Sequence, residues 1–192
     1  IPDIPGIKRE NVITAWDALA DKEPIGRRVV VLGGGSVGCE TAIYLAKKGA
    51  VDAETSIFLA SYAACDPPTA FSLTMKGNKD VTIVEMLPRI GQDFGKGNRW
   101  VFMGDIKRLG IKVITKAGVT AITDEGVKIK VGEQEQVIPA DTVVLAVGSQ
   151  PNKRFYEEIK DKVPEVHLIG DAQKPRKTLD AIHEGFEVAC RI

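Results

Sequence analysis

Arg28-Val-Val-Val-Leu-Gly-Gly-Gly-Ser-Val-Gly-Cys-Glu40 is the stretch on which the reading of the fold turns. Val29, Val30, Val31 and Leu32 form an unbroken apolar run, the pattern of a parallel strand buried on both faces. The run enters Gly33-x-Gly35-x-x-Gly38, and residues 41–48 then read as a helix. A strand, a tight glycine turn and a helix start make a seat for a diphosphate. Gly33 permits the turn, Gly35 lets the backbone come close to phosphate, and Gly38 lets the helix pack against the strand. The N–H groups that open the helix and the positive end of its dipole then face the anion. A glycine triplet alone marks only a turn; strand before and helix after point to a bound dinucleotide.

The same logic demands a second strand ending in an acidic residue that accepts the ribose hydroxyls. Asp80-Val-Thr-Ile-Val-Glu85 fits, with Glu85 at its C-terminal tip. The usual interval after the glycines is about 20 residues. Here it is more than twice that, and residues 50–79 supply the excess as an inserted segment. Its first half, residues 52–64, reads as a helix that Pro67-Pro68 breaks. Phe58, Leu59, Phe71, Leu73 and Met75 make the insertion either a surface excursion packed on its own domain or a contact surface for another domain or subunit, including a homo-oligomer. Glu85 would repel a 2′-phosphate, which favours NAD, while Arg89 four residues on could meet that phosphate and keeps NADP open.

Outward from this centre, residues 1–7 read as an extended linker, and residues 11–20 as a short helix with Trp16 packed inward. Residues 98–109 read as a helix that Gly110 ends, and residues 111–115 as a strand. Residues 119–138 alternate as an antiparallel meander, and Asp141-Thr-Val-Val-Leu-Ala-Val-Gly148 returns to the parallel sheet. A helix over 152–160, a strand over 165–171 and a helix over 178–192 complete the chain. The expected class is α/β: a Rossmann-like open parallel sheet with an antiparallel β-meander.

The 192 residues suffice for one or two domains with a proper core. Lys plus Arg and Asp plus Glu are 26 each, so no electrostatic footprint points to nucleic acid or an anionic membrane. No run is long enough to span a bilayer as a helix. Three cysteines without a CxxC pair suit a reducing, cytoplasmic setting. His167 and His183 lack partners at metal-ligand spacing, so no metal site is expected, and no residue is named as catalytic. The opening Ile1-Pro2, already linker-like and without Met, suggests a piece of a longer protein.

Four features in order carry a resemblance: Ile4-Pro-Gly6, Gly33-Gly-Gly-Ser-Val-Gly-Cys-Glu40, Asp141-Thr-Val-Val-Leu-Ala-Val-Gly-Ser-Gln-Pro-Asn152, and Gly170-Asp171 before a final helix. Together they resemble the glutathione reductase-like flavoproteins, in which an NAD(P)-binding domain is inserted into an FAD domain. Val81-Thr-Ile-Val-Glu-Met-Leu-Pro-Arg-Ile90 and residues 11–19 look more narrowly like the C-terminal part of 2-enoate reductase, among the old yellow enzyme relatives that include 2,4-dienoyl-CoA reductase and trimethylamine dehydrogenase. The resemblance implies a linker and short helix from the FAD domain over 1–26, an NAD(P)H-binding domain over 27–150, and a return segment to the FAD domain over 151–192. It implies Gly33, Gly35, Ser36, Val37 and Gly38 on the diphosphate of NADH, Glu40 near the nicotinamide carboxamide and Glu85 on the adenosine ribose. It also puts Gly148 beside the nicotinamide and Asp171 on the FAD ribityl chain. Four of these have a plainer reading: Glu85 as an ordinary strand-end carboxylate, Glu40 favoured by the helix dipole, Gly148 ending a strand, Asp171 capping a helix or closing an Asx-turn. FAD, FMN and an iron–sulfur cluster are implied for the longer polypeptide, whose FAD and FMN domains would be the partners of this chain. The FAD domain's own glycine turn, the FMN barrel and the cluster cysteines are not in this sequence, so the chain alone is expected to hold FAD poorly and to be inactive. The rival reading is a non-enzymatic NAD-binding or docking module, and a third is another FAD-dependent pyridine nucleotide reductase.

Overall fold

The computed structural model describes residues 3–95 and 97–192, in two compact units, one ending at Val147 and the second spanning Gly148–Ile192. Ile1 and Pro2 of the expected linker lie outside the described residues.

The first unit is built on a parallel sheet of five strands. Strand β2 (Arg28–Leu32) sits at its centre, flanked by β3 (Asp80–Val84) and β8 (Thr142–Leu145). β1 (Val12–Thr14) lies outside β8, and β4 (Lys112–Ile114) outside β3. The register pairs Val31 with Ile83 and Val144, so the apolar runs seen in sequence stand side by side. Successive side chains of a strand point to opposite faces, and both faces here are covered. Val29 and Val31 face α2 (Ser36–Lys47) and α5 (Arg99–Arg108), packing with Ala42, Leu45, Ala46, Ile106 and Leu109. Val30 and Leu32 face the antiparallel meander of β5 (Ala117–Ile122), β6 (Gly126–Val131) and β7 (Gln134–Pro139), meeting Ile122, Val127 and Ile129. This is a three-layer α/β unit, Rossmann-like with a β-meander.

One charged pair ties the strand starts together. Asp141, just before β8, accepts the Arg28 backbone N–H (2.7 Å) and the Arg28 Nε–H (3.0 Å), and also takes an Nη2 bond. The Arg28 guanidinium and N–H together hold the Asp141 carboxyl down at about 2. A depressed carboxyl stabilises the fold above its unfolded value near 4 and loses that contribution as pH falls toward 2. Asp141→Asn is therefore expected to flatten the decline in stability that urea unfolding reads between about pH 5 and about pH 2.5. The pair is partly solvated, so the difference stays below about 1 kcal/mol.

Several sequence expectations need correction. Residues 5–8 form turns rather than an extended run, with Ile7 N–H on the Ile4 carbonyl and Arg9 N–H on that of Gly6. Residues 11–20 split into β1 and the short helix α1 (Ala15–Leu19), because pairing with β8 outweighs the helical spacing. Trp16 is 71% exposed, not packed inward. The insertion is a helical hairpin, α3 (Ala53–Ser61) and α4 (Pro67–Met75). The prolines open α4 rather than break a helix: Asp66 accepts the Thr69 N–H as N-cap, and Pro67 takes a first-turn position that needs no N–H. Ser56 Oγ donates to the Ala70 carbonyl and joins the two helices.

The second unit holds α6 (Arg154–Ile159), a 3-10 turn (Gly170–Ala172) and α7 (Thr178–Ala189). The strand expected over 165–171 does not form. A strand needs a neighbour to take its N–H and C=O groups, and the elements described in this unit are helical. Glu184 of α7 accepts the Gly170 N–H (2.7 Å) and pairs with Arg176. No helix among the described residues is long and apolar enough to cross a membrane.

Candidate functional site

The turn after β2 is shaped by contacts that leave no room for side chains. Gly33 has φ +104°, its N–H donates to the Val84 carbonyl (2.9 Å), and a Cβ on it would lie 2.4 Å from the Ala146 oxygen. The first ladder bond of α2 runs from Cys39 N–H to the Gly35 carbonyl. Helix geometry thus leaves the N–H groups of Ser36, Val37 and Gly38 for partners outside the helix. Gly35, the N-cap, offers no side chain to satisfy them.

Glu85 stands at the tip of β3 beside this turn and is 8% exposed. Its carboxylate accepts the Gly34 N–H (2.5 Å) and the Leu87 N–H (2.7 Å). One residue therefore fixes both the glycine turn and the loop after β3. Cys39 lies underneath, fully buried, with its thiol 3.4 Å from the Gly34 carbonyl. Burial, then the nearby negative charges of Asp93 and Glu85, push that thiol up to about 12, so it is an apolar packing group and not a nucleophile.

Asp93 is the residue that sequence reasoning missed. Both of its carboxylate oxygens accept the Ser36 N–H (2.8 and 2.9 Å), and Oδ2 also accepts from Ser36 Oγ (2.7 Å). It reaches Ser36 from 57 residues along the chain. A Cβ placed on Gly35 would come within 3.3 Å of Asp93 Oδ2. The cradle made by Gly35 and Ser36 thus admits an anionic oxygen group at backbone distance, which is the fit a diphosphate requires.

Gly33, Gly35, Ser36, Val37, Gly38 and Glu85 are brought together around one turn, with Val37 exposed. Glu40 is exposed on α2, and Arg89 is exposed on the loop after β3. Gly148 and Asp171 belong to the second unit. Gly148 has φ +89°, and a Cβ on it would meet nothing within 4 Å. Asp171 accepts the Arg176 N–H (3.2 Å) in a local turn, whereas at the start of α7 the N-cap Lys177 N–H donates to the Asp180 carboxylate (3.1 Å). Among the described residues no cluster of three His, Cys, Asp or Glu is placed to hold a metal ion.

The chain is similar to several known proteins. A family model described as pyridine nucleotide-disulphide oxidoreductase matches residues 1–185. The metal reductase of Desulforamulus reducens is 40% identical over 190 residues, covering 99% of this chain and 28% of that protein. The cinnamate reductase of Clostridium sporogenes is 31% identical over 186 residues, covering 95% of this chain and 24% of that protein. The solved 2-naphthoyl-CoA reductase complex superimposes with a TM-score of 0.76 at 27% identity, covering 100% of this chain and 25% of that one. The chain spans about a quarter of the length of these relatives.

Proposed function

The chain belongs to the pyridine nucleotide-disulphide oxidoreductase family, and on that footing we propose that it is the NADH-binding part of a flavin-dependent oxidoreductase. The observation that carries this reading is the glycine turn opening α2 with the Glu85 carboxylate bonded to its Gly34 amide. In this reading Gly33, Gly35, Ser36, Val37 and Gly38 hold the diphosphate, and Glu85 accepts the adenosine ribose hydroxyls. Glu40 orients the carboxamide, Arg89 borders the adenosine side, and Gly148 lies beside the nicotinamide half. When bound, NADH would supply the hydride that reduces a flavin. The contribution of this chain is binding and orientation, and none of its assigned residues is given an acid–base role.

Residues 27–150 would be the nucleotide-binding domain, with 1–26 and 151–192 joining it to an FAD domain whose ribityl chain Asp171 would meet. The one glycine-rich strand–turn–helix among the described residues is used at β2–α2. The FAD diphosphate therefore needs a seat outside this chain. The likeness to a cinnamate reductase and a 2-naphthoyl-CoA reductase supports a longer polypeptide that reduces the C=C bond of a 2-enoate. The iron–sulfur cluster and FMN that would relay its electrons rest on the resemblance of residues 81–90 and 11–19 to 2-enoate reductase. A second reading, a docking role, is favoured by the exposed Phe58, Tyr62 and Phe71 of the α3–α4 hairpin.

Calorimetric titration with NADH and with NADPH tests the main reading. Binding of NADH at least about tenfold tighter than NADPH is expected, because a ribose-binding carboxylate repels the 2′-phosphate. Binding of neither by folded protein overturns the assignment.

A further inference from the structure

Asp93 sits where the proposed function places a phosphate. Its carboxylate spans the backbone N–H and the hydroxyl of Ser36 at the start of α2, the groups that a bound diphosphate would use. This is not ordinary helix capping, because the N-cap is Gly35 and the carboxylate comes from the far side of β3 in sequence. The segment that carries it is pinned to the same turn. Ile90 is buried against the core, the Gly91 N–H donates to the Gly34 carbonyl (2.6 Å), and the Arg99 guanidinium donates to the carbonyls of Gly91 (3.1 Å) and Ile90 (3.2 Å). On the other side Phe94 stacks on Phe102 with ring centroids 4.2 Å apart. Asp93 is thus delivered to the anion seat by anchors on either side of it.

Resting on the nucleotide reading above, we propose that Asp93 is an internal stand-in for the diphosphate, holding the α2 N-terminus in the ligand-free chain and leaving it when the dinucleotide binds. A carboxylate and a phosphate oxygen cannot occupy the same place against the Ser36 N–H and hydroxyl, and at that separation their like charges repel. In the empty site the carboxylate satisfies the helix-start donor and complements the dipole, so the turn keeps its binding shape without ligand. The cost is competition: nucleotide affinity is set against the Asp93–Ser36 contact. Removing the charge should consequently move two quantities in opposite directions, weakening the ligand-free fold and tightening the nucleotide. A carboxylate that merely caps the helix would move only the first.

The test is calorimetric titration of the full-length polypeptide with NAD+, which binds without reducing a flavin, for wild type, Asp93→Asn and Asp93→Ala. The nucleotide is expected to bind roughly three- to tenfold more tightly to the variants, most to Asp93→Ala, the range of a charge contact at a helix start. Their melting temperatures without ligand should be lower than wild type and should rise further on adding NAD+. If wild type binds and the variants bind equally or more weakly, competition is refuted while the nucleotide site stands. If folded wild type and both variants all fail to bind, the site assignment falls and the competition falls with it. Asp93→Asn keeps the shape of the side chain and preserves the comparison should the alanine variant fold poorly.

Discussion

Gly38→Ala is expected to cost more than about 3 kcal/mol of folding stability and to remove nucleotide binding, although alanine is the better helix former. A Cβ at position 38 would fall 1.9 Å from the Gly33 carbonyl oxygen and 2.9 Å from its carbon, a backbone clash. Gly33 cannot retreat. Its N–H is bonded to Val84 on β3, and its own missing Cβ leaves space that the Ala146 carbonyl already fills. Relief would need α2 to lift from β2, and that opens the packing of Val29 and Val31 against Ala42, Leu45 and Ala46. Gly104→Ala in α5 is the matched control. That glycine is exposed and nothing lies within 4 Å of its Cβ position, so the substitution should stabilise by about 0.5–1 kcal/mol. Urea unfolding of the two variants should therefore shift in opposite directions. Equal shifts would mean that close approach of helix and strand is not what Gly38 provides.

How far the fold could be read from sequence depends on where each residue finds its partner. β2, β3 and β8 are legible because each is buried on both faces and so is mainly apolar, with Thr82 and Thr142 the buried polar residues among them. β1 is not, since three half-buried residues ending in a helix cap carry too little pattern, and only pairing with Val143 to Leu145 makes them a strand. The error at residues 165–171 has the opposite origin: an apolar run promises a strand that no neighbouring strand of the second unit completes. Asp66-Pro-Pro-Thr69 does contain its own answer, an N-cap followed by first-turn proline, which treating the prolines as breakers overlooks. At the site, the glycines are legible because strand–turn–helix spacing dictates them, and Glu85 because it is the acidic tip of the next mainly apolar strand despite the insertion before it. Asp93 is not, because nothing local distinguishes it from a loop carboxylate; its role exists only through contact with Ser36, 57 residues away.

Glu85→Ala should be the most damaging change that leaves the glycine turn's own sequence intact, losing about 2–4 kcal/mol of stability and at least about tenfold in NADH affinity. The carboxylate bonds two backbone donors, Gly34 N–H at 2.5 Å and Leu87 N–H at 2.7 Å, from a position that is 8% exposed. Alanine strands the buried Gly34 amide, whose residue is packed close to Glu85 Cβ and Ile90. Stability and binding can be separated with Glu85→Gln. Its Oε1 still accepts one N–H while its amide group faces the other donor, so part of the stability returns. The negative charge does not return, and under the proposed function that charge is what would bond the ribose hydroxyls and disfavour a 2′-phosphate. Glu85→Gln is thus expected to fold, to bind NADH more weakly than wild type, and to narrow the gap between NADH and NADPH. Retention of wild-type affinity together with undiminished discrimination would confine Glu85 to holding the turn. The selectivity would then have to come from elsewhere, and Arg89, four residues on in sequence, is the group the proposed function offers for it.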